Sequence, residues 1–383
     1  MPVHASGQES LGEAEEHKDD KTSFLSRKFA GFLRRSSAVN AVRPDDQNVI
    51  IPANSIQARI ADRRRSSPAR IITAVDEEIV FGVKNYAANS SNAARAVNED
   101  RYRIISSLEL YGKALVTSDK RVQSYQDALD KQLLECYANE GNVPKMDLKK
   151  LAKYQSGTNT EFFGIFDGHG GDHCSSFLAL LFPLYLLLTP DFHENMPAAA
   201  TKACTAINTE ILKREEAKQR GGGSTGLVVM IRDGIAYVCN VGDCRAILIS
   251  KSGVSALSTD HKATNESEKQ RIEDAGGMVL YVKGVARVNG RLAVSRAFGD
   301  AEHHEYVIAE PEITTHSLSP CDEYIVLASD GLWDVLSNED VMATIRNHPW
   351  LSIDEITQVL IDRAMELGTM DNVTVVIIDV RKR

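Results

Sequence analysis

Asp167, Gly168 and His169 end an apolar run, Phe162-Phe163-Gly164-Ile165-Phe166, and Gly170 and Gly171 follow them. The Asp167 carboxylate can hold a hard cation. Glycines let backbone carbonyls approach such an ion, because no Cβ stands in the way. His169 sits two residues on, within reach to move a proton beside the ion.

Four other stretches share this design of an apolar run meeting carboxylates. They are Arg95-Ala96-Val97-Asn98-Glu99-Asp100, Asn240-Val241-Gly242-Asp243, Ser329-Asp330-Gly331-Leu332-Trp333-Asp334 and Asp371-Asn372. A single Asp with Gly after a strand ordinarily just makes a turn. Five together call for compensation at the ends of core strands, and the sequence shows no basic cluster placed to give it. Divalent cations would give it. The candidate donors are all oxygens, with no Cys or His pair at zinc spacing, which suits Mg²⁺ or Mn²⁺. Two such ions roughly 3.5–4 Å apart can share a water and make it a nucleophile, the chemistry of phosphate-ester hydrolysis. Arg95, four residues before Glu99, supplies a planar guanidinium that matches phosphate bidentately.

The elements that must position these residues are mostly short strands. Gly226 to Ser250 reads as two strands joined at Arg232-Asp233-Gly234, since Asp-Gly suits a hairpin. Tyr324–Ala328 and Val373–Val380 are further β-branched runs. Helices are expected over Phe177–Leu188, Ala199–Gln219 and Glu266–Ala275. Two more follow Ser337 and Ser352, where Asp340 and Glu355 complete a weak and a proper capping box, the second running to Gly368. Strands and helices come in blocks, which favours an α+β layered domain over a doubly wound sheet.

The chain has 383 residues, 43% of them hydrophobic, enough for a sizeable core. Its net charge of −9 argues against nucleic acid as a partner. Residues 1–70 carry 12 Lys/Arg and 9 Asp/Glu, whereas residues 71–383 carry 32 and 44. That break marks a basic, polar, poorly ordered N-terminal extension over 1–70 and an acidic folded body over 71–383. Within the extension, residues 21–43 hold six bases and no acid, with Phe24, Phe29 and Phe32 on one helical face. Such a segment suits weak contact with an anionic membrane or a partner protein. Residues 107–157 read as an insertion between two site-bearing strands, with helix-like stretches at Gln123–Tyr137 and Met146–Tyr154. Six cysteines without a CxxC pair read as reduced core thiols, and with no secretory signal they place the chain in the cytoplasm or nucleus. The longest apolar stretch, Phe177–Leu188, is 12 residues and too short to span a bilayer.

From Asn92 to Val380 the chain resembles the metal-dependent protein serine/threonine phosphatases of type 2C. The resemblance rests on Arg95…Glu99-Asp100, Phe166–Gly171, Gly223-Ser224-Thr225 and Asn240–Arg245. It continues through Asp260-His261-Lys262, Leu292–Asp300, Ala328–Asp334 and Asp371–Thr374. It implies a central β-sandwich of two antiparallel sheets flanked by α-helices, in four layers, with a two-metal site at one end. By the same resemblance Asp167 bridges both ions, the Gly168 carbonyl binds one, and Glu99, Asp330 and Asp371 complete the shells. Asp100 orients the attacking water. Asp243 and Asp334, with Asp330, match a weaker third position. Arg95 holds the phosphate, and His169 protonates the leaving oxygen. Residues 262–290 match a variable flap beside the site. Cys244, Ala263 and Gly226 stand where the family usually has Ser, Pro and Ala.

The expected activity is hydrolysis of phosphoserine and phosphothreonine in protein substrates by a monomer, without a covalent phosphoenzyme. A binding module that kept the fold would need no paired ions. A calcium-binding protein would have no use for Arg95 and His169.

Overall fold

The computed structural model describes residues 85–116, 151, 159–218 and 222–381. β1 (Tyr86–Ser91) and β2 (Arg101–Ile105) flank the Arg95–Asp100 loop, and α1 (Leu108–Val116) follows. β3 (Glu161–Phe166) stops at Asp167 and gives way to a two-residue β4 (Gly168–His169). Then come the apolar α2 (His173–Leu188) and α3 (Met196–Lys218). β5 (Gly223–Ser224), β6 (Gly226–Arg232), β7 (Ile235–Val241), β8 (Arg245–Ser250) and β9 (Gly253–Ala256) form the strand-dense centre. α4 (Glu266–Asp274), β10 (Val279–Val282) and β11 (Val285–Val288) lie in the expected flap, and β12 (Phe298–Gly299) comes after it. The chain continues through β13 (Glu312–Ser317), β14 (Asp322–Ala328), α5 (Asp330–Trp333), α6 (Asn338–Arg346) and α7 (Ile353–Glu366) to β15 (Val373–Asp379).

Two five-stranded antiparallel sheets result, ordered β1-β15-β14-β8-β9 and β13-β7-β6-β3-β2. Strand alternation decides which face packs where. In β3, Phe163 and Ile165 join Leu227, Val229, Ile325, Leu327, Val376 and Ile378 in a core between the sheets. Phe162 and Phe166, one residue out of step, pack with Leu178, Leu181 and Phe182 of α2 and Ile207 of α3. The other sheet behaves likewise: Val326, Val375 and Ile377 turn outward onto Leu332, Val341, Leu360 and Ile361 of α5, α6 and α7. The expected α+β sandwich, helix–sheet–sheet–helix, is what forms.

Three expectations are corrected. Gly226–Ser250 is three strands rather than two. The chain breaks again at Gly242, whose φ of 114° turns it out of β7, and β8 joins the opposite sheet. Apolar residues on both sides of the break hid it from the sequence. The start of the expected insertion is core rather than decoration. Leu108, Tyr111 and Leu115 of α1 are buried with Leu151 against α2. Glu109 is buried too, accepting hydrogen bonds from Thr160 N and Oγ1 at 2.9 and 2.7 Å, with the Arg232 guanidinium 3.7 Å away. The capping box at Ser337 is complete, because the Asp340 carboxylate reaches back to the Ser337 N–H at 3.1 Å. The one at Ser352 and Glu355 forms as expected.

The N-terminal extension, the helix-like stretch Gln123–Tyr137 and all of Met146–Tyr154 except Leu151 lie outside the described residues. Cys174, Cys204, Cys239 and Cys244 are buried, and Cys321 is exposed. Among the described residues no helix is long and apolar enough to cross a membrane.

Candidate active site

The strand ends bring the acids to one place. Asp167 leaves β3 and is locked to the start of β6: Thr225 N donates to its carbonyl at 2.9 Å, and Asp167 N donates to Thr225 Oγ1 at 3.2 Å. Gly168 comes next under close contact. A Cβ there would stand 2.7 Å from the Glu99 carbonyl oxygen and 2.8 Å from Ser175 Oγ, so only glycine fits. Ser175 Oγ donates to that same Glu99 carbonyl at 2.6 Å, tying the loop before β2 to α2. Asn372 ties it to the start of β15. Its Oδ1 accepts from Glu99 N at 2.8 Å, and its Nδ2 donates to the Asn92 and Val97 carbonyls. Thus the Glu99 loop, far from both in the chain, is hydrogen-bonded to Ser175 and Asn372 and packs against Gly168, which brings Glu99, Gly168 and Asp371 to one place.

Asp100 is buried beneath them. Its Oδ2 accepts from Ser329 Oγ at 2.8 Å and Thr374 Oγ1 at 2.7 Å, while Oδ1 has no hydrogen-bond partner among the described residues. Burial pushes its pKa up to about 6, against the pull of the two hydroxyls. Burial also raises Asp167 far above the carboxylate range, and Asp100, Asp330, Asp243 and Asp371 add to it by like-charge repulsion. Asp330 opens α5 and is raised in the same way, by burial and then by Asp243, Asp334, Asp371 and Asp100. Its Oδ1 is likewise buried with no partner. Burial brings Asp243 to about 6, with the Lys262 ammonium pulling it down. The expected acids therefore sit within one another's electrostatic field.

Two cations stand nearby: Arg95, which the sequence placed at the site, and Lys262, to which it gave no role. Arg95, half exposed, donates from Nη2 to Asp371 Oδ2 at 2.6 Å and from Nε to the Met370 carbonyl at 3.3 Å. Lys262 Nζ lies 3.2 Å from Asp334 Oδ1. Among the described residues neither these two nor any other base forms an ion pair with Asp100, Asp167 or Asp330. The earlier reading that no base serves the acids thus holds for the inner three and fails for the outer two. Lys262 comes from a loop 72 residues before Asp334, and no local pattern announces that pairing.

His169 faces Asp300, a residue of the Leu292–Asp300 stretch to which sequence alone assigned no role. His169 Nε2 lies 2.9 and 2.8 Å from the two Asp300 oxygens. Burial works against protonation of the ring, but the Asp300 carboxylate outweighs it and raises the pKa. Asp300 is itself buried, with its N–H donating to the Gly222 carbonyl at 3.0 Å. The departure at Gly226 has a packing reason: a Cβ there would stand 2.8 Å from Phe298 Cε2.

The donor set suits a hard divalent cation. It offers buried carboxylate oxygens without partners, mutual repulsion that a cation would relieve, and a glycine at the point of closest backbone approach. Among the described residues no group of three or more Asp, Glu, His or Cys is arranged to hold an ion with side chains alone. Backbone carbonyl and water oxygens would have to complete any shell, which is the habit of Mg²⁺.

Comparison with known proteins agrees with this geometry. The family model described as Protein phosphatase 2C matches residues 129–373. The chain is 38% identical over 222 residues to "Probable protein phosphatase 2C 59" of Oryza sativa subsp. japonica, covering 58% of this chain and 67% of that one. It is 39% identical over 218 residues to "Probable protein phosphatase 2C 59" of Arabidopsis thaliana, covering 56% and 68%. In other relatives the matched stretch spans 48% or 60% of their length. Its fold is similar to the serine-threonine phosphatase 2C from Toxoplasma gondii, with a TM-score of 0.58 at 21% identity, covering 77% of this chain and 94% of that one. The chain belongs to the protein phosphatase 2C family, and so to the metal-dependent protein serine/threonine phosphatases.

Proposed function

We propose that this chain removes phosphate from phosphoserine and phosphothreonine in proteins by direct attack of water, with two Mg²⁺ or Mn²⁺ ions and no phosphoenzyme. The residues that would hold the ions are Asp167, the Gly168 carbonyl, Glu99, Asp330 and Asp371, with Asp243 and Asp334 at a weaker third position. Bound there, divalent ions supply Lewis acidity that makes water nucleophilic near neutral pH and offsets phosphate charge. The chain's own groups do the rest. Asp100 Oδ1, buried and without a partner, is left to accept a hydrogen bond from the attacking water. The half-exposed Arg95 guanidinium can turn its fork to the phosphate oxygens. His169 Nε2 is committed to Asp300, which leaves Nδ1 to deliver a proton to the departing serine or threonine oxygen. The Asp300 carboxylate raises the ring's pKa and so favours the protonated form that this step needs.

One observation carries this reading: buried Asp100 and half-buried Asp167 and Asp330 repel one another, with no ion pair to any of them among the described residues. Such an arrangement is costly unless cations enter it. We place the phosphatase in residues 71–383, acting as a monomer on phosphoproteins in the cytoplasm or nucleus, with residues 1–70 as an extension. The test is hydrolysis of a phosphothreonine peptide with and without Mn²⁺. Activity should need the metal and fall at least a thousandfold in Asp167→Asn. Activity indifferent to a chelator and to that change refutes the mechanism.

A further inference from the structure

The Asp260-His261-Lys262 stretch is built with more care than a connecting loop needs. Asp260 takes two hydrogen bonds from Arg245, Nε at 2.9 Å and Nη2 at 2.6 Å. Arg245 is itself seated over the Trp333 ring at 5.1 Å. His261 and Gly242 bond reciprocally: His261 N donates to the Gly242 carbonyl at 2.9 Å, and Gly242 N donates to His261 Nδ1 at 3.1 Å. Lys262 pairs with Val294 in an antiparallel bridge. Its backbone is therefore fixed on both sides and fastened to the residue before Asp243. What this scaffold presents is one ammonium group, 3.2 Å from Asp334 and in the field of Asp243 and Asp330.

Those three acids are the ones assigned above to the weaker third cation position. Arg245 also acts on Asp243 and Asp334, but its guanidinium is occupied by Asp260 and Asn338. Lys262 is different. Its side chain is 34% exposed and its partner Asp334 55% exposed, so the pair is weak and readily exchanged. An ammonium and a divalent ion cannot share that space without repulsion.

We propose that Lys262 is a tethered cation that competes with a divalent ion for the Asp243/Asp334 position and so sets the metal concentration at which that position fills. The proposal rests on the two-metal reading above. Lys262 in this role touches neither substrate nor the reacting atoms. It acts through the outer acids, leaving the inner acids to bind at lower metal concentration.

The test is Mn²⁺ titration of the full-length chain, with free ion counted by electron paramagnetic resonance. Lys262→Met keeps the length and removes the charge. It should tighten the weakest Mn²⁺ about tenfold and leave the tighter ions unmoved. Lys262→Gln, which keeps a polar tip for Asp334, should give the same shift. Lys262→Arg keeps the charge and should stay within about twofold of wild type. A weakest constant that is unchanged in Lys262→Met, or an equal shift at every ion, overturns the proposal. Wild-type chain that binds no Mn²⁺ overturns the two-metal reading as well. Two tight ions with no effect of Lys262→Met overturn this inference alone.

Discussion

In the mechanism proposed above, Asp300 serves His169 as a partner carboxylate serves a general acid: it fixes the ring and favours its protonated form. The sign of its effect is testable. The ring's pKa is raised by Asp300, and the reaction needs the protonated ring. Activity should therefore fall as pH rises through that pKa. Asp300→Asn removes the raising charge, so the fall should begin at lower pH, and kcat on the basic limb should drop about a hundredfold. A pH–rate profile checks this, and an unmoved basic limb would show that Asp300 only supports the loop. The residues that carry charge were legible in the sequence because each ends or begins an apolar run. Their partners were not. Asp300 lies 131 residues from His169, and the Ser329 and Thr374 hydroxyls lie 229 and 274 residues from Asp100. Such pairings come from strand register across the sheets, which no local spacing encodes.

At the scale of elements, α4 carries the flap and one buried acid fastens it. Glu268 accepts from Arg271 Nη2 at 2.9 Å and from Arg296 Nε at 3.0 Å, joining α4 to the segment before β12. Burial would raise the Glu268 pKa, but the two guanidinium groups outweigh it and bring it down to about 2. The sign of the linkage follows. The unfolded chain binds the proton near 4.5 and the folded chain only near 2, so this stabilisation is present above pH 4.5 and lost as pH falls towards 2. Glu268→Gln should cost about 3 kcal/mol at pH 7, because it leaves two half-buried guanidinium groups without their buried counter-charge. It should also flatten the stability curve over that acidic window. Urea unfolding at several pH values measures both. The ends of α4, α6 and α7 were legible, since capping side chains and a following glycine act within one turn. The break between β7 and β8 was not: Gly242-Asp243 marks it, but the runs on either side are both apolar and nothing local says that they join different sheets.

For the molecule as a whole, the two sheets bury their facing sides and leave one end to acids whose charges do not cancel. The α+β layering could be read from blocks of β-branched runs and capped helices. Which strands share a sheet could not, because β8 and β7 are neighbours in sequence and members of different sheets. The central claim is that this acidic end exists for cations, and melting temperature tests it most directly. Folded Asp100 and Asp243 titrate near 6 against an ordinary 3.8, so the chelated chain should gain stability as pH falls from 7 towards 4. At pH 7.5 with chelator, Asp167→Asn should melt about 3 °C above wild type, because one of the repelling charges is gone. With excess Mn²⁺ the order should reverse, wild type rising and the variant hardly moving. Wild type melting highest under chelator, with Mn²⁺ shifting neither protein, would contradict the account.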